Sequence, residues 1–186
     1  MAQILEIAQL GNPVLRRCAQ AIVNFNDPQV QSLIDDLILT AAQTQGVGIA
    51  APQVSVSGRG RVCDSTYRLF IVASRPNLRY PNAPVMEPTA MINPRIINCC
   101  GEPVKGWEGC LSVPGIRGLV PRYPTIQVEY TSRAGNLHQV ELTDFVARIF
   151  QHELDHLDGK VFLDRVESTQ DLMSESEYQK QIIANL

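Results

Sequence analysis

His152, Glu153 and His156 spell His-Glu-x-x-His. On a helix, residues four apart share a face, so the two imidazoles can grip one metal ion. The glutamate beside them can then act as general base toward a water activated by that ion. Two packed histidines and a surface glutamate would satisfy the same letters. The residues around them have to separate these readings.

The segment Thr143 to Gly159, TDFVARIFQHELDHLDG, reads as one helix, with Thr143 or Asp144 as N-cap and Gly159 at its stop. At about 100° per residue, Asp144, Arg148, Gln151 and Asp155 fall in one narrow polar stripe. Phe145, Val146, Ile149, Phe150, Leu154 and Leu157 cover most of the remaining circumference, which predicts a mostly buried helix. The histidines project beside Phe145 and Ile149, and Glu153 projects between Ile149 and Val146. Burying an unpaired carboxylate is costly, so Glu153 needs a partner in that apolar setting.

Two imidazoles do not complete a catalytic metal site, which commonly uses three protein ligands and keeps one position open. No histidine follows His156, and glutamate recurs there only in a polar tail. Upstream, Cys110 lies in the irregular, glycine-flanked stretch Gly106 to Gly115, GWEGCLSVPG, and a thiolate is a soft ligand. That stretch breaks any strand pattern.

The remaining elements must bring these residues together. Ile4 to Leu10 reads as a short edge segment, and Asn12-Pro13 turns the chain. Asp27-Pro28 starts a helix. From there Val30, Leu33, Ile34, Leu37, Ile38 and Ala41 recur at helical spacing, an amphipathic helix ending near Gly46. Gly46 to Gln53, GVGIAAPQ, is small enough for close backbone approach, although a tight turn packed on the core reads the same way. Ser55 to Ser65 reads as loop and Tyr67 to Ala73 as a strand. Ser74 to Pro88, with four prolines, reads as a long excursion in the manner of a flap. Strands are expected at Ala90 to Ile97 and Glu102 to Lys105, on either side of Cys99 and Cys100, which lack C-x-x-C spacing and read as small core or edge residues. Pro121 and Pro124 interrupt the chain beyond Gly115. Ile126 to Tyr130 and Leu137 to Leu142 alternate as a hairpin that feeds the His-Glu helix. His138 in that hairpin reads as structural or exposed. Val161 to Leu163 suggests a short strand, and Ser174 with Glu177 resembles a capping box in the tail.

In that order GVGIAAPQ, EGCLSVPG and QHELDHLDG resemble the three signature motifs of the peptide deformylases. Looser similarity runs from ILEIAQLGNPVLRR to about Leu163. The resemblance implies that Cys110, His152 and His156 are metal ligands, with Fe(2+) the usual ion and Zn(2+) or Ni(2+) able to replace it. It implies that Glu153 is the catalytic base, and that Gln53 and the Leu111 backbone N–H hold the oxyanion. Gly48, flanked by Val47 and Ile49, would meet the substrate chain, and Glu108 and Arg117 would support the site or the substrate. Phe145 and Ile149 share the histidine face and would wall the methionine side-chain pocket or simply pack the core. The implied reaction removes formate from the N-formylmethionine of new polypeptides.

Composition agrees with an enzyme of this kind and excludes others. The 186 residues suit one domain, residues 166–186 forming a surface tail or helix. With 45% hydrophobic residues and a net charge of −3, a core is affordable and nucleic acid is a poor main ligand. Five cysteines, an odd number, suggest a reducing compartment rather than a disulfide framework. No signal peptide or transmembrane span is read, so the cytoplasm is expected, or an organelle if a targeting peptide has been removed. The expected partners are nascent formylmethionyl chains at the ribosome, with the enzyme a monomer or homodimer. A metalloprotease lacks its downstream ligand, and a metal-binding protein without activity would require neither Glu153 nor Gln53. The expected fold is α+β, antiparallel sheets wrapped around a central metal-binding helix, with the amphipathic helix packed outside.

Overall fold

The computed structural model describes residues 2–55, 66–77 and 80–185. In chain order the strands are β1 (Glu6–Ile7), β2 (Gly48–Ala50), β3 (Val54–Ser55), β4 (Leu69–Val72), β5 (Thr89–Cys100), β6 (Val104–Cys110), β7 (Val113–Arg122), β8 (Thr125–Thr131), β9 (Leu137–Thr143) and β10 (Leu172–Ser174). The helices are α1 (Pro28–Gln43), α2 (Asp144–Leu157) and α3 (Glu175–Gln181), with short 3-10 turns between elements. The strands form a five-stranded sheet ordered β2-β4-β5-β8-β9, a three-stranded sheet ordered β10-β7-β6, and the pair β1-β3. All these pairings are antiparallel. The α+β expectation holds, with α2 at the centre. Among the described residues no helix is long and apolar enough to cross a membrane.

Strand β4 explains the arrangement in four residues. Side chains alternate along a strand. Leu69 and Ile71 point into a core shared with Val30, Ile34 and Leu37 of α1. Phe70 and Val72 point the other way, into a core shared with Phe150 and Leu157 of α2. A strand covered on both faces reads as an unbroken apolar run, which is what Leu69 to Ala73, LFIVA, displays.

Several expectations change. Gly106 to Gly115 does not break the strand pattern: it is the end of β6, a tight connection at Leu111-Ser112, and the start of β7, with a register shift between Glu108 and Cys110. Gly106 and Gly109 serve close approach, whereas Gly115 serves a left-handed φ of +78°. A Cβ at Gly106 would stand 2.7 Å from the Arg148 guanidinium, and one at Gly109 2.6 Å from Arg117 Nη1. Pro121 lies inside β7, where β10 no longer covers the far edge, and a proline is tolerated there. Cys99 and Cys100 belong to β5, which runs past the expected strand end at Ile97. Val161 to Leu163 is no strand; a 3-10 turn runs over Phe162–Arg165. Thr143 makes no side-chain cap, and α2 begins at Asp144 with a left-handed φ of +50°. The expected loop over 55–65 lies outside the described residues beyond Ser55. The C-terminal segment, expected as a surface tail or helix, carries the helix α3 and is also docked on the sheet. Its β10 pairs with Ile116 to Gly118 of β7, and Tyr178 of α3 is buried.

Candidate metal centre

Helix α2 enters the protein between the two larger sheets and carries His152 and His156 one turn apart. Strand β6 arrives from the other side and ends on Cys110. The Cys110 thiol and one ring nitrogen from each histidine lie within 4.8 Å of one another. Cys110 Sγ stands 3.2 Å from His156 Nε2, and the two imidazoles meet edge to face with centroids 5.1 Å apart. All three residues are buried or nearly so. A thiolate with two imidazoles suits zinc, iron or nickel and leaves room for a further ligand.

The orientation of His152 is set by Glu108. Its Nδ1 lies 2.9 Å from Glu108 Oε2, and because a carboxylate only accepts, the imidazole donates there. With Nδ1 engaged there, Nε2 is the nitrogen left to bind a metal once deprotonated, the usual support for a metal-binding histidine. Glu108 is itself held by Arg122, through Nε at 2.9 Å and Nη2 at 3.1 Å, and by Arg148 at 3.1 Å. Burial alone would raise its pKa, but the Arg122 guanidinium and the His152 contact outweigh burial and lower it to about 2. Glu108 therefore stays ionised where water is excluded. Both of its oxygens are turned to the protein, so it supports the site rather than reaching outward.

Arg122 also donates to Asp155 at 2.6 Å, and Arg165 closes on the same carboxylate. Gln151 donates to the Tyr123 carbonyl and accepts from its N–H. The polar stripe of α2 is thus no solvent face. Arg148, Gln151 and Asp155 bind it to the three-stranded sheet and the connection after β7. That role for Arg122, Arg148 and Asp155 was missed in the sequence. The available signal was the stripe itself, too narrow to solvate a helix and spaced to meet one partner.

Glu153 lies buried beside the centre. Its Oε2 has no hydrogen-bond partner among the described residues, and neither has His156 Nδ1. Burial pushes the Glu153 carboxyl up to about 7. Glycine at position 48 is required here: a Cβ would fall on the Glu153 carboxylate and stand 2.9 Å from Ile149 Cγ2. Gln53 reaches the centre from the 3-10 turn after β2. Its Oε1 accepts from the Ala50 N–H at 2.8 Å, which leaves Nε2 to donate to Cys110 Sγ at 3.4 Å and Ser112 Oγ at 3.2 Å. The Ser112 N–H also points at the thiol, at 3.4 Å. Ser112 was not singled out in the sequence, and nothing but its neighbourhood to Cys110 marked it.

A cavity opens from this centre. Val47, Gly48, Gln53, Glu108, Leu111, Phe145, Ile149 and Glu153 line it, together with Tyr80, Trp107 and Arg148. Two expected site residues stand elsewhere. The Ile49 side chain is fully buried in the core shared with α1, and the cavity is lined by Val47 and Gly48 instead. Arg117 is 1% exposed, and its guanidinium is taken up by Glu175 and the Tyr80 hydroxyl rather than presented to a substrate.

Comparison with known proteins places this geometry. A family model described as polypeptide deformylase matches residues 4–171. The chain is 61% identical over 183 residues to "Peptide deformylase 2" of a Nostoc species, covering 98% of this chain and 97% of that protein. It is 46% identical over 161 residues to "Peptide deformylase 2" of Shewanella oneidensis, 87% and 83% of the two chains. A Met-Ala-Ser-bound class I type b peptide deformylase from Acinetobacter baumannii superposes with a TM-score of 0.81 at 39% identity, covering 89% of this chain and all of that one. The chain belongs to the peptide deformylase family, metallo-hydrolases that remove the formyl group from the N-terminal formylmethionine of newly synthesised polypeptides.

Proposed function

We propose that Cys110, His152 and His156 hold one divalent ion, ferrous in the native enzyme and replaceable by zinc or nickel, and that Glu153, Gln53 and Leu111 carry the chemistry beside it. When bound, the ion supplies Lewis-acid activation of water and of the formyl oxygen. Glu153 accepts a proton from the attacking water at Oε2 and delivers it to the departing amine, so the formyl C–N bond breaks and formate and a free N-terminus result. Burial raises its carboxyl above the usual range, and a carboxylate so desolvated both takes up and gives back a proton. Gln53 Nε2 and the Leu111 N–H donate to the oxygen that gains charge; one such donor is worth about 3 kcal/mol. Gln53 is pre-aimed, because its carbonyl oxygen is already fixed by the Ala50 N–H. Gly48, between Val47 and Ile49, lets the substrate backbone pass close to Glu153. Phe145 and Ile149 wall the pocket for the first side chain, and Glu108 holds His152 in register.

The observation that carries this reading is the convergence of the three ligand atoms within 4.8 Å beside a buried carboxylate oxygen with no partner among the described residues. The Met-Ala-Ser peptide in the Acinetobacter baumannii relative supports a formylmethionyl substrate. Nascent chains leaving a ribosome, in the cytoplasm, are the natural source of such termini, and the enzyme serves them as a monomer or homodimer. The test is formate release from formyl-Met-Ala-Ser by protein loaded anaerobically with iron(II), compared with zinc. Turnover with iron, lost in Glu153→Ala while metal content is kept, is expected. No release with either metal would sink the reading, and full metal content in Cys110→Ser would show the third ligand to be misassigned.

A further inference from the structure

Two aromatic walls of the cavity, Tyr80 and Trp107, belong to neither the metal centre nor the reaction. Tyr80 comes from the irregular excursion between β4 and β5. Its ring lies on that of Phe145, centroids 4.8 Å apart. Its backbone is pinned by a reciprocal pair with Asn77, N to O at 3.1 and 3.2 Å. Its hydroxyl accepts from Arg117 Nη1 at 2.8 Å. Arg117 donates from Nε and Nη2 to the two oxygens of Glu175, at 2.6 and 3.1 Å. The same guanidinium stands over the Tyr178 ring at 4.8 Å, and Tyr178 meets Trp107 edge-on at 5.7 Å. Both aromatic walls are therefore braced from behind by α3, the segment that the sequence presents as a polar tail.

We propose that Tyr80 determines specificity by bounding the pocket for the substrate's first side chain, and that Arg117 with Glu175 is the positioning pair that keeps its ring there. This rests on the reading of Phe145 and Ile149 as pocket walls. An irregular segment has few contacts of its own to fix a side chain. A bidentate guanidinium–carboxylate pair is rigid, and with Nε and Nη2 held by Glu175 it fixes where Nη1 meets the phenol. Hydrophobic pockets discriminate one methylene by about 10- to 200-fold, so a displaced ring alters selectivity before it alters chemistry.

The test compares formyl-Met-Ala-Ser with formyl-Phe-Ala-Ser on the iron-loaded enzyme, alongside calorimetric binding of the product peptides Met-Ala-Ser and Phe-Ala-Ser. Tyr80→Ala is expected to lower the Met-over-Phe ratio in kcat/KM by about tenfold or more, mainly through KM, with the binding ratio falling in parallel. Tyr80→Phe, which keeps the ring, should retain most of the preference. Glu175→Gln should shift it in the direction of Tyr80→Ala but less. If Tyr80→Ala unfolds, Tyr80→Leu removes the ring with a smaller packing loss. An unchanged ratio in the Tyr80 variants while Phe145→Ala shifts it overturns the role of Tyr80 alone. An unchanged ratio in Phe145→Ala as well removes the pocket reading, and the proposal with it. A Glu175→Gln enzyme with the native ratio overturns the positioning pair.

Discussion

Glu108→Gln is the sharpest test of how this centre is built. The substitution keeps shape and removes one charge. In the native protein that charge faces Arg122 through two hydrogen bonds, Arg148 through one and His152 through one. Side chains 108 and 122 are 4% and 5% exposed, so solvent screens little. The Glu108 pKa falls from 4.5 to about 2, which corresponds to roughly 3 kcal/mol in favour of the folded carboxylate. Breaking a buried pair by removing one partner costs about 3–5 kcal/mol, so the two routes agree. The sign comes from linkage. A carboxyl depressed in the folded state stabilises above its unfolded pKa of about 4.5, and that stability drains as pH falls toward about 2. Denaturant unfolding of the metal-free protein should therefore show a deficit of about 3–5 kcal/mol near pH 7, shrinking between pH 5 and the acid end. Metal titration should show affinity about 10- to 100-fold weaker, because the amide keeps a single acceptor oxygen, for which His152 must compete with Arg122 and Arg148. A variant with native stability and native metal affinity would refute the argument. So would a stability deficit that does not change with pH below 5.

Other perturbations reach different links. Gly48→Ala puts a methyl onto the Glu153 carboxylate and against Ile149; a displacement near 1 Å costs about a hundredfold in rate, so kcat/KM should fall while metal content stays native, and native turnover would show that Glu153 moves freely. Without a cation Glu153 titrates at about 7, and a nearby cation favours the carboxylate; the acid limb of kcat/KM in the loaded enzyme should lie below pH 7, and a limb above it would exclude Glu153 as the titrating base. Phe150 is fully buried and meets Phe70 edge-on at 5.1 Å; Phe150→Ala should cost about 3–5 kcal/mol in unfolding free energy, and a loss under about 1 would mean that α2 is not anchored through this pair.

What the sequence by itself determined is what repeats locally. The period of α1, the apolar circumference of α2, the alternation of β8 and β9, and the spacing of His152, Glu153 and His156 are all set within a few residues, where backbone geometry dictates side-chain direction. Cys110 already stood out as a soft ligand in a glycine-flanked stretch; the resemblance to the deformylases matched it to a ligand position and added Gln53 by motif. Only the tertiary structure decided where the remaining charges go. Arg148, Gln151 and Asp155 look like a water-facing stripe until β6, β7 and Tyr123 are packed against them. Glu108 and Arg117 look alike as polar residues beside a motif. Yet one turns inward to His152 and the other backward to Glu175, because a shift of register in β6 and the docking of β10 set their directions. Glycines 106 and 109 read as strand breakers because the guanidiniums that fill their missing side chains come from residues 148 and 117. Pairings across such separations depend on strand register and helix placement, which no local pattern encodes.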